Sequence, residues 1–336
     1  MFTTAEIRDS LELKGRRIVQ LTTADANRIS NHSQLCKDID KLESVQSAEQ
    51  IERQLGTPGI QFEGNLLGIE GDTGQLIAVV ATVPMPGTDS FYISTDISVV
   101  PEYRKGRLEA TLLEYAVANA HEWATRNQAK VQIQAGCRDD QTNYVQLYTE
   151  AGFLPVRYFH TMERDLTSMP IEPAIAPDGF EIEAVNPDDD VHVKDLHNTL
   201  IESFQDHFNP IDFTLEQTAH WIRSHELLKG FILLAYATSE DGTHVPAGSS
   251  VNRIRTAYNE QHGKKEGEVS ALGVRRAYRR KGLARALLLS SLGVIKQAGM
   301  NTAELSVDSE NPLGANELYA SVGFKPRKTS IVYQLS

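Results

Sequence analysis

Two stretches of this chain are written twice, in the same order, and that repetition constrains the fold more than anything else in it. Val99-Val100-Pro101-Glu102-Tyr103-Arg104-Lys105-Gly106-Arg107-Leu108 has a counterpart in Val274-Arg275-Arg276-Ala277-Tyr278-Arg279-Arg280-Lys281-Gly282-Leu283, offset by 175 positions when Tyr103 is set on Tyr278. Leu147-Tyr148-Thr149-Glu150-Ala151-Gly152-Phe153 returns as Leu318-Tyr319-Ala320-Ser321-Val322-Gly323-Phe324, offset by 171. Two matches in one order, four residues apart in offset, describe a duplicated domain with a small length change. A length of 336 residues suits two domains of ordinary size. The seam falls in Ser168-Met169-Pro170-Ile171-Glu172-Pro173-Ala174-Ile175-Ala176-Pro177-Asp178. Three prolines make that stretch an extended connector. The expected layout is therefore a domain over 1–167, a linker over 168–178 and a domain over 179–336.

Each half alternates strand and helix patterns. Leu76–Val83 and Phe91–Val100 read as strands, Leu108–Trp123 as a helix, Lys130–Gln134 as a strand and Asn143–Glu150 as a helix. Leu108, Leu112, Tyr115, Ala116 and Trp123 form the helix's apolar stripe, which Asn119 interrupts. The second half repeats the pattern, with strands near Gly230–Tyr236, Glu268–Val274 and Thr302–Val307 and helices over Leu283–Ala298 and Gly314–Ala320. Tail strands Val156–Met162 and Thr329–Leu335 are expected to close their own units. The class is α/β, twice over.

Composition narrows the partners. A formal charge of −12 argues against a general nucleic-acid binder or a protein docked on an anionic membrane surface. Cys36 and Cys137 are too few for a disulfide framework or a cysteine-rich zinc site, so no metal is expected. His220 and His225 lie five apart, the wrong spacing for two ligands on one helix face. The start lacks a basic segment followed by an apolar one, and no run is long enough to span a bilayer. A cytoplasmic protein, monomer or homodimer, is the expectation.

The chemistry lies in Arg279-Arg280-Lys281-Gly282-Leu283-Ala284, where a strand hands over to a helix. Unpaired N–H groups of a helix start, its dipole and three cationic side chains converge there, and Gly282 and Ala284 let a ligand come close. The pattern suits a polyphosphate. Neither a Walker-type loop nor a Gly-x-Gly-x-x-Gly turn is present.

These residues resemble the Arg/Gln-x-x-Gly-x-Gly/Ala signature of the GNAT superfamily of acetyl-CoA-dependent N-acyltransferases. Asn311 through Phe324 resembles its second motif, Asn-x-x-x-Ala-x-x-Leu-Tyr-x-x-x-Gly-Phe, and the two-unit layout is similar to the tandem, mycothiol synthase type. The resemblance implies two tandem GNAT-like domains, each a mixed, mostly antiparallel sheet flanked by helices, and acetyl-CoA as cosubstrate. It assigns the coenzyme diphosphate to Arg279, Arg280, Lys281, Gly282, Leu283 and Ala284, and the acetyl and pantetheine portions to backbone groups of Leu272 and Val274 and to Asn311. Tyr319 falls on the tyrosine that protonates the departing thiolate, and Glu268 on a strand carboxylate that serves as base, directly or through water. The implied activity is N-acetylation of a small-molecule primary amine. An acyl-CoA sensor without chemistry and a protein-amine acetylase are the alternatives. Asp206 and His207 lie where such proteins build acceptor pockets, although a helix-end role is the plainer reading.

The first half departs from the pattern. Arg107 replaces Gly282, Glu109 replaces Ala284, Asp140 replaces Asn311 and Tyr144 replaces Ala315, while Gly106 stands one position early. That half is expected to keep the fold and to have lost the coenzyme.

Overall fold

The computed structural model describes residues 3–12, 16–87, 90–104, 107–210, 212–224, 230–238 and 242–335. Two compact units result: Met1–Tyr158 together with Ser330–Ser336, and Phe159–Thr329. Gly106 and His225 lie outside the described residues.

The first unit runs α1 (Thr4–Glu12), β1 (Arg17–Gln20), α2 (Ala26–Cys36), α3 (Ala48–Leu55), β2 (Leu66–Glu70), β3 (Leu76–Pro86), β4 (Phe91–Val99), α4 (Leu108–Asn127), β5 (Val131–Arg138), α5 (Thr142–Glu150) and the start of β6 (Phe153–Asp165). Strands β1 to β4 pair antiparallel in sequence order, and β4 pairs parallel with β5. The buried stripe of α4, with Leu108, Leu112, Leu113, Ala116 and Trp123, shares one core with Ile93, Ile97 and Ile133. Asn119, the polar break in that stripe, is buried and matched: its Nδ2 donates to Thr82 Oγ1 at 2.6 Å and to Asn65 Oδ1 at 3.2 Å. A buried amide is tolerated because its donors are satisfied.

The second unit continues with β7 (Phe180–Ala184), α6 (Asp190–Phe204), α7 (Leu215–Ser224), β8 (Ile232–Thr238), β9 (His244–Ile254), α8 (Thr256–His262), β10 (Glu266–Val274), α9 (Leu283–Gln297), β11 (Thr302–Asp308), α10 (Ala315–Ser321) and β12 (Lys325–Leu335). Strands β7 to β10 pair antiparallel in order, and β10 pairs parallel with β11. Leu288, Leu292 and Ile295 of α9 pack with Val269 and Leu305. A Cβ on Gly267 would stand 2.6 Å from Ile295 Cγ2, so only glycine lets α9 lie this close to β10. The linker around Pro170–Pro177 carries neither helix nor strand. Among the described residues no helix is long and apolar enough to cross a membrane. Both units are mixed, mostly antiparallel α/β layers.

The tail strands do not end as expected. Phe159–Asp165 of β6 pairs antiparallel with β11 and completes the second unit's sheet. Ser330–Gln334 of β12 pairs antiparallel with β5 and completes the first. The sequence identifies both segments as strands, but a strand's hydrophobic pattern does not name its partner.

Candidate active site

Strand β10 lies beside β11 over only four residues, Glu266↔Thr302 to Val269↔Leu305. A bulge at Ser270 then shifts its register against β9, while β11 goes on, paired with β6 as far as Asp308. Beyond the bulge the two parallel strands part. Arg275 N donates across the β9 ladder to Ala247 O at 2.9 Å, and alternation puts the ladder bonds of β10 on residues 273 and 271. Leu272 and Val274 therefore turn their amides toward the side that β11 has left. Val274 O follows this geometry, accepting from Arg279 Nε at 3.0 Å and not from β9.

The turn after β10 is held by the C-terminal end of α6. Glu202 takes Arg275 Nε at 2.6 Å and the Arg276 amide at 3.2 Å. Asp206 takes Arg279 Nη1 and Arg276 Nη2, each at 2.7 Å. Those hydrogen bonds, Arg279's foremost, hold the Asp206 carboxyl below its ordinary range. Asp206 and Arg279 are thus partners of each other, Asp206 braces the turn, and the plainer reading of Asp206 prevails. Gly273 lets α6 approach, since a Cβ there would come within 2.6 Å of Ser203. His207 stacks on Phe204, ring centroids 4.4 Å apart, and burial pushes its imidazole pKa down.

Arg280 (φ 63°) and Gly282 (φ 83°) are both left-handed, which wraps the chain into the start of α9. A Cβ on Gly282 would meet only Pro177 at 3.6 Å, so backbone conformation and open access, not packing, call for glycine. The first helical bond runs from Ala286 N to Gly282 O, which leaves the amides of residues 283–285 without partners inside the helix. Arg280, Lys281 and Gly282 are exposed, and Ala284 is half-buried. The Leu283 side chain is in the core, so only its N–H is available to a ligand.

On α10, the Tyr319 ring is buried against Phe324, and burial pushes its phenol up to about 12. Its hydroxyl forms no hydrogen bond among the described residues. Asn311 spends its Oδ1 on Leu313 N at 2.9 Å in a tight turn ahead of α10. Glu268 faces an arginine. Arg253 approaches both of its oxygens at 2.9–3.0 Å, and Ser270 Oγ donates at 3.1 Å. Arg255, from the end of β9, bonds Glu266 at 3.1 Å and Glu304 at 2.7 Å. The sequence reading missed this ion network and the α6 brace. Finding Arg253 requires recognising β9, whose buried Ser249, Ser250 and Asn252 hide its strand character.

The first unit repeats the brace, and its parallel strands β4 and β5 also pair over only four residues, Phe91↔Val131 to Ser94↔Gln134; the two units differ in the side chains at the turn. Arg104 bonds Val99 O through Nε and Asp40 through its outer nitrogens, as Arg279 does with Val274 and Asp206. Arg107 keeps the left-handed conformation of Gly282, with φ 65°. Tyr144, in place of Ala315, donates to Asp40 Oδ2 at 3.1 Å. Among the described residues no cluster of three or more His, Cys, Asp or Glu could hold a metal.

Residues 193–324 match the acetyltransferase (GNAT) family. A mycothiol acetyltransferase of Segniliparus rotundus is 26% identical over 253 residues, covering 74% of this chain and 87% of that protein. The solved GCN5-related N-acetyltransferase of Sphaerobacter thermophilus is 23% identical, with a TM-score of 0.69 and 95% of each chain covered. A tandem GNAT protein from the clavulanic acid biosynthesis pathway aligns at a TM-score of 0.65, with 13% identity, over 95% of this chain and 98% of that one. Residues 193–324 are thus similar to the GNAT acetyltransferase family, and the chain has the fold of the tandem GNAT proteins.

Proposed function

We propose that the second unit transfers the acetyl group of acetyl-CoA to a primary amine of a small molecule. The parting of β10 from β11, with the Gly282 turn at its mouth, is the observation that carries this reading. An extended thioester arm fits beside a strand whose amides lack a neighbour. The N–H groups of Leu283 and Ala284, with Arg280 and Lys281, suit the coenzyme's diphosphate. Arg279, braced on Asp206, acts on the turn's shape rather than on phosphate.

In this mechanism the amine attacks the thioester carbonyl, whose oxygen gathers charge and is stabilised by an N–H of Leu272 or Val274. The tetrahedral adduct collapses with loss of the thiolate, which takes a proton from the Tyr319 hydroxyl, and the phenolate regains the proton that the new amide nitrogen sheds. The amine, an ammonium at neutral pH, must first lose a proton. Glu268 is the carboxylate proposed to accept it through water. Both its oxygens engage Arg253 or Ser270, so proton uptake requires that this clamp loosen when the acceptor enters.

A small-molecule acceptor accords with the name of the curated relative. Thiol release from acetyl-CoA, measured against amino sugars, aminoglycosides, simple amines and peptides, tests the proposal. Tight coenzyme binding without release on any amine would favour an acyl-CoA sensor, and release on peptides alone would favour a protein acetylase.

A further inference from the structure

The first unit has a groove of about 890 Å³ between α4 and α5, inside the range of roughly 300–1,000 Å³ typical of small-molecule sites. Its floor is apolar: Ile7, Leu113, Val117 and Phe153 are buried side chains that also line it, joined by half-buried Leu147. Its walls are acidic. Glu109, Glu114 and Glu150 line it, against one guanidinium, that of Arg107.

Sequence offset and backbone conformation locate this groove within the repeat. Arg107 stands where the second unit has Gly282, and Glu109 where it has Ala284. The groove therefore opens beside the counterpart of the diphosphate turn, and the walls beyond that turn are acidic. Among the described residues of that turn, Arg104 is 3.5 Å from Glu109 but is committed to Asp40, which it bonds at 2.7 and 2.8 Å. Glu150 accepts from Gln146 at 2.6 Å, and no cation among the described residues pairs with Glu150 or Glu114. Three carboxylates over an apolar floor repel a polyanion and attract a positive charge that brings hydrocarbon with it.

We infer that this groove is a second small-molecule site, one that takes an organic cation with an apolar body and not an acyl-CoA. The cation's head pairs with Glu114 and Glu150, and its body covers Leu113, Val117 and Phe153.

The test uses the intact protein and three matched probes: 4-phenylbutylamine, 4-phenylbutyrate and 4-phenylbutanol, titrated by calorimetry at pH 7. The ammonium probe should bind at least tenfold more tightly than the carboxylate. The double substitution Glu114→Gln with Glu150→Gln, both exposed, should erase that preference. Ala110→Trp, which fills the groove, should abolish binding, whereas Gly282→Glu in the other unit should leave it unchanged. Equal or tighter binding of the carboxylate, or an ammonium affinity unaltered in the double variant, would overturn the inference.

Discussion

Tyr319 is a buried phenol with an unengaged hydroxyl, and burial alone accounts for its raised pKa of about 12. It is protonated across the physiological range and can donate there. Tyr319→Phe should leave acetyl-CoA affinity intact and lower kcat by roughly 10²–10⁴, the range for general acid–base groups. Unchanged turnover would return the ring to a packing role. The shift also has a stability consequence. Because the folded pKa lies above the unfolded value, the contribution is complete below about pH 10 and lost as pH rises toward about 12. Denaturant midpoints measured across that interval should fall more steeply for the wild type than for Tyr319→Phe. Glu268 calls for a different measurement. Glu268→Gln should slow turnover at neutral pH and recover part of it at higher pH, where more free amine exists; a pH–rate profile that overlays the wild type would remove it as base. The family resemblance singles out both residues. The Arg253 clamp on Glu268 is not legible, because it needs two strands laid side by side.

At the scale of elements, the turn between β10 and α9 divides its labour. Arg279 and Asp206 hold its shape from within, and Arg280 and Lys281 face solvent. Arg280→Gln should weaken coenzyme binding and flatten its salt dependence with little change in stability. Arg279→Gln should instead destabilise the second unit by about 1–3 kcal/mol, the usual scale for hydrogen bonds to charged groups. Thermal melts and calorimetry on the pair of variants separate the two roles. A run of basic residues gives no hint of this division, since every member looks alike until α6 is packed against the turn. Long apolar helices such as α9 are legible because packing and periodicity agree. Strand β9 is not: its Asn252 and Ser250 are buried yet satisfied, by Phe231 O at 2.9 Å and Ser291 Oγ at 2.7 Å. Asn252 and Ser250 thus depart from the apolar rule at little cost once their partners are in place, whereas the buried Ser249 Oγ has no partner among the described residues.

For the molecule as a whole, the repeat predicts one coenzyme per chain, not two. Calorimetry with acetyl-CoA should give a single site that Gly282→Glu abolishes, and two equivalent sites would show that Arg107 and Glu109 do not close the first unit. The duplication was legible because it rests on side chains at matched positions. The exchange of tail strands was not, since β6 and β12 carry the same pattern whichever sheet they join. It can be probed through Ile331→Asp in β12, which should raise amide exchange in β5 while leaving β10 and α9 protected. The exchange also sets an order of events during synthesis. Arg138 on β5 meets Ser330, about 190 residues later, a separation of the kind that slows folding. Until the ribosome has made β12, the first unit waits with a bare strand edge, the feature most open to wrong pairing. The half that emerges first is thus the half that finishes last.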